Sequence, residues 1–209
     1  MSAKEDLLIK KIKEGDVDAF EELITAYQQR IYNTAYRLLG NTYDASDMAQ
    51  EAIIKIYRAL PGFRGDSSFS TWIYRITVNV CRDELTRKYR HVESSLDEYI
   101  MTESGEMQRE IADFSQLPED LVQNKELGEY LQVLIDSLPP EYRMVIVMRE
   151  YLYFSYQEIA DALAISIGTV KSRINRARKI LQQKIKADAE HYPHLLGHIA
   201  RGGDDSESA

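Results

Sequence analysis

Only one cysteine, Cys81, occurs in the 209 residues. An internal disulfide is therefore excluded, and a lone thiol fits a reducing compartment. No apolar run approaches the roughly 18 residues of a membrane span. The opening MSAKEDLLIKKIKEG lacks the apolar core of a secretory signal. These absences lead us to expect a cytoplasmic chain without membrane insertion. Also missing are a nucleophile–base pair, a metal-ligand cluster and a phosphate-binding glycine loop, so neither catalysis, a metal nor a cofactor is expected. His191, His194 and His198 stand near the C-terminus, but Pro193 and Gly197 interrupt any helix there and no carboxylate or Cys completes a ligand set.

Positive charge is scarce overall, with a formal net charge of −8. That argues against nucleic acid until the distribution is examined. Residues 1–92 carry 14 basic and 13 acidic side chains, and residues 118–187 carry 10 and 9. The stretch 93–117 has one Arg against seven acids, and 188–209 has one Arg against five. The acid is thus confined to two segments that read as a flexible linker, with weak periodicity and scattered Ser and Gly, and a disordered tail. Hydrophobic content of 44% with 29% charged residues is that of a globular protein, and the length suffices for two small domains, each with its own core. The expected domains are 1–92 and 118–187.

The most informative stretch is SYQEIADALAISIGTVKSRINRARKILQQKIK, Ser155 to Lys186. Ile159, Ala160 and Leu163 fall on one side of a short helix starting near Tyr156. Ile165 breaks the period, and Ser166 can cap a second helix with Thr169 in its first turn. There Val170, Ile174, Ala177 and Leu181 recur as a buried stripe. The opposite side carries Thr169, Ser172, Asn175, Arg176 and Lys179. From Lys171 to Lys186 there are seven Lys or Arg and no acid. Such a run repels itself unless a polyanion neutralises it, and two helices of this kind make a helix-turn-helix whose second helix can enter a major groove.

Upstream, the spacing predicts two helices over residues 4–39, broken at Gly15-Asp16, and a third over Asp44–Leu60. In the third, Ala45, Met48, Ala49, Ala52, Ile56 and Ala59 form the inward stripe, and Asp47, Gln50, Glu51, Ile54 and Arg58 project from the other side. Acids around an exposed apolar residue suit docking on a basic partner helix, and a plain solvated face fits the same pattern. After Pro61-Gly62 comes a polar loop, Phe63–Ser68, and then a long helix that Ser70 can cap. Trp72 reads as a core anchor rather than a stacking platform. Arg75, Asn79, Arg82 and Asp83 lie around the outer side, where cations suit phosphates, amides suit base edges and the loop suits an unstacked base. Leu121, Val122, Leu127, Tyr130, Leu131, Leu134, Ile135 and Leu138 predict a further helix closed by Pro139-Pro140. Tyr142, Val145, Ile146, Met148 and Leu152 predict the one that leads into the helix-turn-helix.

Four motifs in this order, DASDMAQEAIIKIYRAL, FRGDSSFSTWIYRITVNVCRDEL, LPPEYRMVIVMRE and SYQEIADALAISIGTVKSRINRARK, resemble the extracytoplasmic-function (group four) sigma factors of bacterial RNA polymerase, across about residues 5–187. The resemblance implies an all-α chain of two small helical domains joined by the acidic linker, the second a helix-turn-helix domain. It implies an alternative sigma factor, stress- or envelope-responsive, that directs core polymerase to promoter DNA under control of an anti-sigma factor, which can hold it at the membrane. Asp47, Gln50, Glu51 and Ile54 would meet the coiled coil of the largest catalytic subunit, with the polymerase flap as a further contact. The loop residues Phe63, Arg64, Ser67 and Ser68 would hold a flipped base, and Arg75, Asn79, Arg82 and Asp83 would read the minus-ten strand. Thr169, Lys171, Ser172, Arg173, Asn175, Arg176 and Lys179 would bind the minus-thirty-five duplex. The linker would thread toward the RNA exit path, and the tail beyond Lys186 departs from the family's compact ending. Two other readings compete: a free-standing helix-turn-helix regulator with a sensor domain, and an enzyme with an appended DNA-binding domain. The 44–60 face and the Arg/Asn helix count against the first, and the second would need a ligand cavity or turnover.

Overall fold

The computed structural model describes residues 3–96 and 119–188, and every regular element among them is helical. The first domain contains α1 (Ala3–Lys13), α2 (Val17–Leu39), α3 (Thr42–Ala59), a 3-10 turn (Leu60–Gly62) and α4 (Phe69–Leu96). The second contains α5 (Glu119–Asp136), α6 (Pro140–Ile146), a π turn (Val147–Tyr151), α7 (Tyr156–Leu163) and α8 (Ile167–Asp188). Helix α4 runs past residue 92, so the first residues assigned to the linker are helical. The rest of that linker, and the tail with its three histidines, lie outside the described residues.

The helix boundaries follow from capping chemistry. Asp16 caps α2 by accepting from the Ala19 N–H at 3.0 Å, and Asn41 caps α3 by accepting from the Asp44 N–H at 2.8 Å. Gly40 closes α2 in the left-handed region, at φ 77, and sends its N–H to the Tyr36 carbonyl. Helix α4 is capped by Ser68, whose Oγ accepts from the Thr71 N–H at 3.0 Å, and not by Ser70. In α3, Ala45, Ala49, Ala52 and Ile56 are buried against α2 and α4, as their spacing requires. Ala59 is exposed instead: the helix tightens into the 3-10 turn there, and Leu60 takes the inward place.

The two domains do not keep separate cores. One apolar cluster extends from Leu8 of α1 to Ala177 of α8. Where the domains meet, polar contacts accompany this apolar cluster and centre on the C-terminus of α2. Arg143 is buried and donates to the Leu38 carbonyl at 2.9 Å, and within its own domain to the carbonyls of Asp136 at 2.5 Å and Leu138 at 3.3 Å. Gln132, only 5% exposed, donates to the Tyr36 and Arg37 carbonyls at 3.4 Å and accepts from Arg37 at 3.1 Å. Its neighbour Leu131, expected in the apolar stripe, is 40% exposed. The reason is that α5 has two faces to satisfy. Tyr130 and Leu134 pack toward Leu181 and Ile185 of α8, and Gln132 turns to α2.

Replacing Arg143 with Met keeps most of the stem volume and strips the donors from three buried carbonyls. A buried polar group without a partner costs about 1–3 kcal/mol. Arg143→Met is therefore expected to lower stability by about 3 kcal/mol, read as a fall in the urea midpoint, whereas Leu131→Ala should change it by under about 1 kcal/mol.

Candidate nucleic-acid interface

Three surfaces carry the residues singled out by sequence. On α3, Asp47, Gln50 and Ile54 are exposed and Glu51 is half-buried, on the side opposite the buried alanines. Ile54 is 44% exposed, and Tyr57 beside it 43%. Glu51 is held by Lys55 one turn on, at 3.4 Å, so the acidity of this face is partly offset within the helix. Tyr57 meets Phe20 of α2 edge-on at 4.9 Å, which roots the apolar part of the face in the core.

The second surface is the loop between the 3-10 turn and α4. Phe63 is not available to a base. Its ring is 5% exposed and packs 5.1 Å from Trp72 and 5.6 Å from Phe69, with Tyr27 completing the cluster 5.5 Å from Phe69. The cluster forms because the turn at Leu60–Gly62 reverses the chain, bringing Phe63 over the first turn of α4. Trp72, half-buried among these rings, is the anchor its spacing suggested. Arg64, Gly65 and Asp66 are exposed, and Gly65 supplies the left-handed bend at φ 83. Ser67 is half-buried, and Ser68 is exposed but committed to capping α4. On α4, Arg75 and Asn79 are half-buried, and Asp83 is exposed and paired with Arg82 at 3.4 Å. Asn79 departs from the expected open face: its Oδ1 is buried with no hydrogen-bond partner. A neighbouring Cys81 is fully buried, and burial pushes its thiol up to about 12, so it is inert.

The third surface is the helix-turn-helix. Ser155 and Glu158 form a reciprocal capping box at the start of α7. Ala164 closes α7 in the left-handed region at φ 54, and Ser166 caps α8 by accepting from the Thr169 N–H at 3.0 Å. Val170, Ile174 and Ala177 are buried and Leu181 partly so, which orients the other side of α8 to solvent. Lys171, Ser172, Asn175, Arg176 and Lys179 are exposed there, with Thr169 and Arg173 at the margin. Ser172 donates to the Thr169 carbonyl at 3.0 Å.

Two features escaped the sequence reading. Arg178, counted in the basic run, is paired with Glu150 of the π turn at 2.5 Å and braces α8. Lys13 of α1 donates to the Phe63 carbonyl at 2.7 Å, across 50 residues. Neither has a local sequence signal, because each pair is created by packing.

A basic recognition helix in one domain, and an Arg- and Asn-bearing helix with a bent polar loop in the other, define a bipartite DNA-binding transcription factor. Residues 23–91 match the family model of sigma-70 region 2, and residues 128–181 match that of sigma-70 region 4. The chain is 40% identical to the ECF RNA polymerase sigma factor SigW of Bacillus subtilis (strain 168), over 85% of this chain and 95% of that one. It is 38% identical to the ECF RNA polymerase sigma-E factor of Escherichia coli (strain K12), over 87% of this chain and 94% of that one. The protein belongs to the extracytoplasmic-function sigma factors, alternative subunits that direct core RNA polymerase to promoters. Among solved structures, CnrH in complex with the cytosolic domain of CnrY is similar in fold, with a TM-score of 0.59 at 23% identity over 88% of this chain and 99% of that one. The sigma factor RpoE of Bartonella quintana, solved with the anti-sigma factor NepR, has the same score and identity over 82% and 99%.

Burial separates the roles of adjacent loop residues. Phe63→Ala should destabilise the protein by about 3–4 kcal/mol through the cavity left among the rings, and Arg64→Ala by less than about 0.5 kcal/mol. Thermal or urea unfolding of the two variants checks this.

Proposed function

We infer that the first domain docks on core polymerase through Asp47, Gln50, Glu51 and Ile54, and reads the opened minus-ten strand through Arg64, Ser67, Arg75, Asn79, Arg82 and Asp83. The second domain binds the minus-thirty-five duplex through Thr169, Lys171, Ser172, Arg173, Asn175, Arg176 and Lys179. The observation that carries this reading is the outer face of α8, exposed and basic, on a helix whose other side is buried. Phe63 is removed from the reading set, because its ring belongs to the core. Its place in the pocket is that of a floor.

The two DNA elements lie about 25 base pairs apart, which at about 3.4 Å per pair is about 85 Å. Domains that share a core cannot reach both, so promoter binding requires them to part. The chain between the helices, residues 97–118, can span up to about 75 Å if extended, and a helix about 10 Å across at each end makes up the remainder. An anti-sigma protein that favours the joined arrangement would silence the factor, which is the control we propose for it. We place the protein in the cytoplasm and assign it no catalytic step. Among the described residues no helix is long and apolar enough to cross a membrane.

Two measurements test this assignment. Ile54→Glu should weaken binding to core polymerase at least tenfold without lowering the thermal midpoint, since Ile54 is already exposed; unchanged affinity in a pull-down would remove this face. For the duplex, a bidentate base contact is worth roughly 1–3 kcal/mol of discrimination, while a phosphate contact is sequence-blind and adds about one unit of salt slope. Arg176→Ala should therefore cost holoenzyme binding far more on the cognate minus-thirty-five element than on a scrambled one. Lys184→Ala should weaken both alike and flatten the salt dependence. An equal loss on both promoters would reduce Arg176 to a phosphate clamp.

A further inference from the structure

The geometry points to Lys13 as a positioning residue for base recognition: its ammonium orients and polarises the Phe63–Arg64 peptide, so that the Arg64 N–H stands as a fixed donor for the acceptor edge of an unstacked base. This rests on the reading of the 63–68 loop as a pocket for such a base.

Helix α1 reaches the loop through an independent set of contacts. Leu8, Ile9 and Ile12 are buried in the same core as Phe63, and α1 packs on the Leu60–Gly62 turn. Polar ties fix its position on α2: Lys4 pairs with Glu22 at 2.7 Å, and the Tyr27 hydroxyl donates to Glu5. Burial and that carboxylate hold the Tyr27 proton well above the ordinary tyrosine range, so Tyr27 remains a donor at neutral pH. From this platform Lys13 donates to the Phe63 carbonyl at 2.7 Å. The Phe63 N–H bonds to the Leu60 carbonyl at 3.0 Å, so both main-chain groups of Phe63 are held. At the other end Ser68 is locked as the cap of α4. The loop therefore has two fixed stems and an exposed crown, Arg64 to Asp66, whose side chains make no hydrogen bond or ion pair among the described residues.

No peptide bond here is cis. In a trans peptide the N–H points opposite to the carbonyl of the same plane. With the Phe63 carbonyl turned onto Lys13, the Arg64 N–H is turned away from α1, and it has no acceptor among the described residues. A cation on the carbonyl also draws electron density through the amide and strengthens its N–H as a donor. A donor fixed before the ligand arrives loses little entropy on binding. Lys10 and Lys11 carry the same charge on the same helix and are exposed as Lys13 is, but only Lys13 bonds to the loop.

The test uses holoenzyme assembled from the full chain and core RNA polymerase. The probes are fluorescein-labelled single-stranded oligonucleotides bearing the cognate minus-ten element, with each base replaced in turn by an abasic residue. In the parent, one position sensitive to Arg64→Ala with Ser67→Ala should show an abasic penalty of about tenfold, the size of one good hydrogen bond to a charged or polarised partner. Lys13→Met, which keeps the stem, should shrink that penalty below about twofold and leave the other positions unchanged. Lys13→Arg should retain it, and Lys10→Met and Lys11→Met should leave the pattern intact. A penalty that survives Lys13→Met overturns the role of Lys13 alone. A uniform loss on all oligonucleotides, shared by Lys10→Met, makes Lys13 a phosphate contact and also overturns it. If the parent shows no loop-dependent penalty at any position, the pocket reading fails and the role of Lys13 with it.

Discussion

The arrangement of the two domains depends on how the C-terminus of α2 is satisfied. The last carbonyls of a helix have no partner within it and gather partial negative charge. Here the second domain supplies the donors: Gln132 to Tyr36 and Arg37, and Arg143 to Leu38. Asp136 offsets the cost of burying the guanidinium, with its carboxylate 3.5 Å from Arg143. The close fit at this point leaves no room for a side chain on Gly40, where an added Cβ would lie 2.6 Å from the Asp136 carboxylate oxygen. One small patch thereby ends α2, turns the chain into α3 and joins the domains.

The chemistry of that patch suits the opening proposed for promoter binding. A hydrogen bond exchanged for water contributes only about 0.5–1.5 kcal/mol net. Carbonyls, an amide and a guanidinium are all well hydrated once exposed, so this polar part of the junction opposes parting less than an apolar patch of equal area would. The ring at the margin behaves similarly. Arg37 lies 5.7 Å over the Tyr151 ring of the second domain, a contact in which the cation keeps much of its solvation. The Tyr74 hydroxyl and the Asn79 carbonyl oxygen are buried without hydrogen-bond partners.

The same economy governs the surfaces proposed to read DNA. Rigidity is placed beneath each one: an aromatic floor under the loop, a brace from Glu150 to Arg178 behind α8, and a capping box ahead of α7. The groups that face solvent are left uncommitted. Lys171, Asn175, Arg176 and Lys179 are exposed on α8, and Arg64 and Asp66 on the loop.

Much of this was legible in the amino-acid order, because helices are local objects. The caps at Ser166, the stripe of Val170, Ile174 and Ala177, the alanine face of α3 and the acidic segments outside the domains are all set by neighbours within a few residues. So was the family, since its motifs are contiguous. What only the tertiary structure decided are contacts between residues far apart in sequence: Lys13 on Phe63, Gln132 and Arg143 on the end of α2, Glu150 on Arg178. The burial of Phe63 and of the Asn79 oxygen belongs with these, as does the exposure of Leu131. Periodicity records that a residue lies on a face, but whether that face meets solvent or another helix is fixed only when the helices pack.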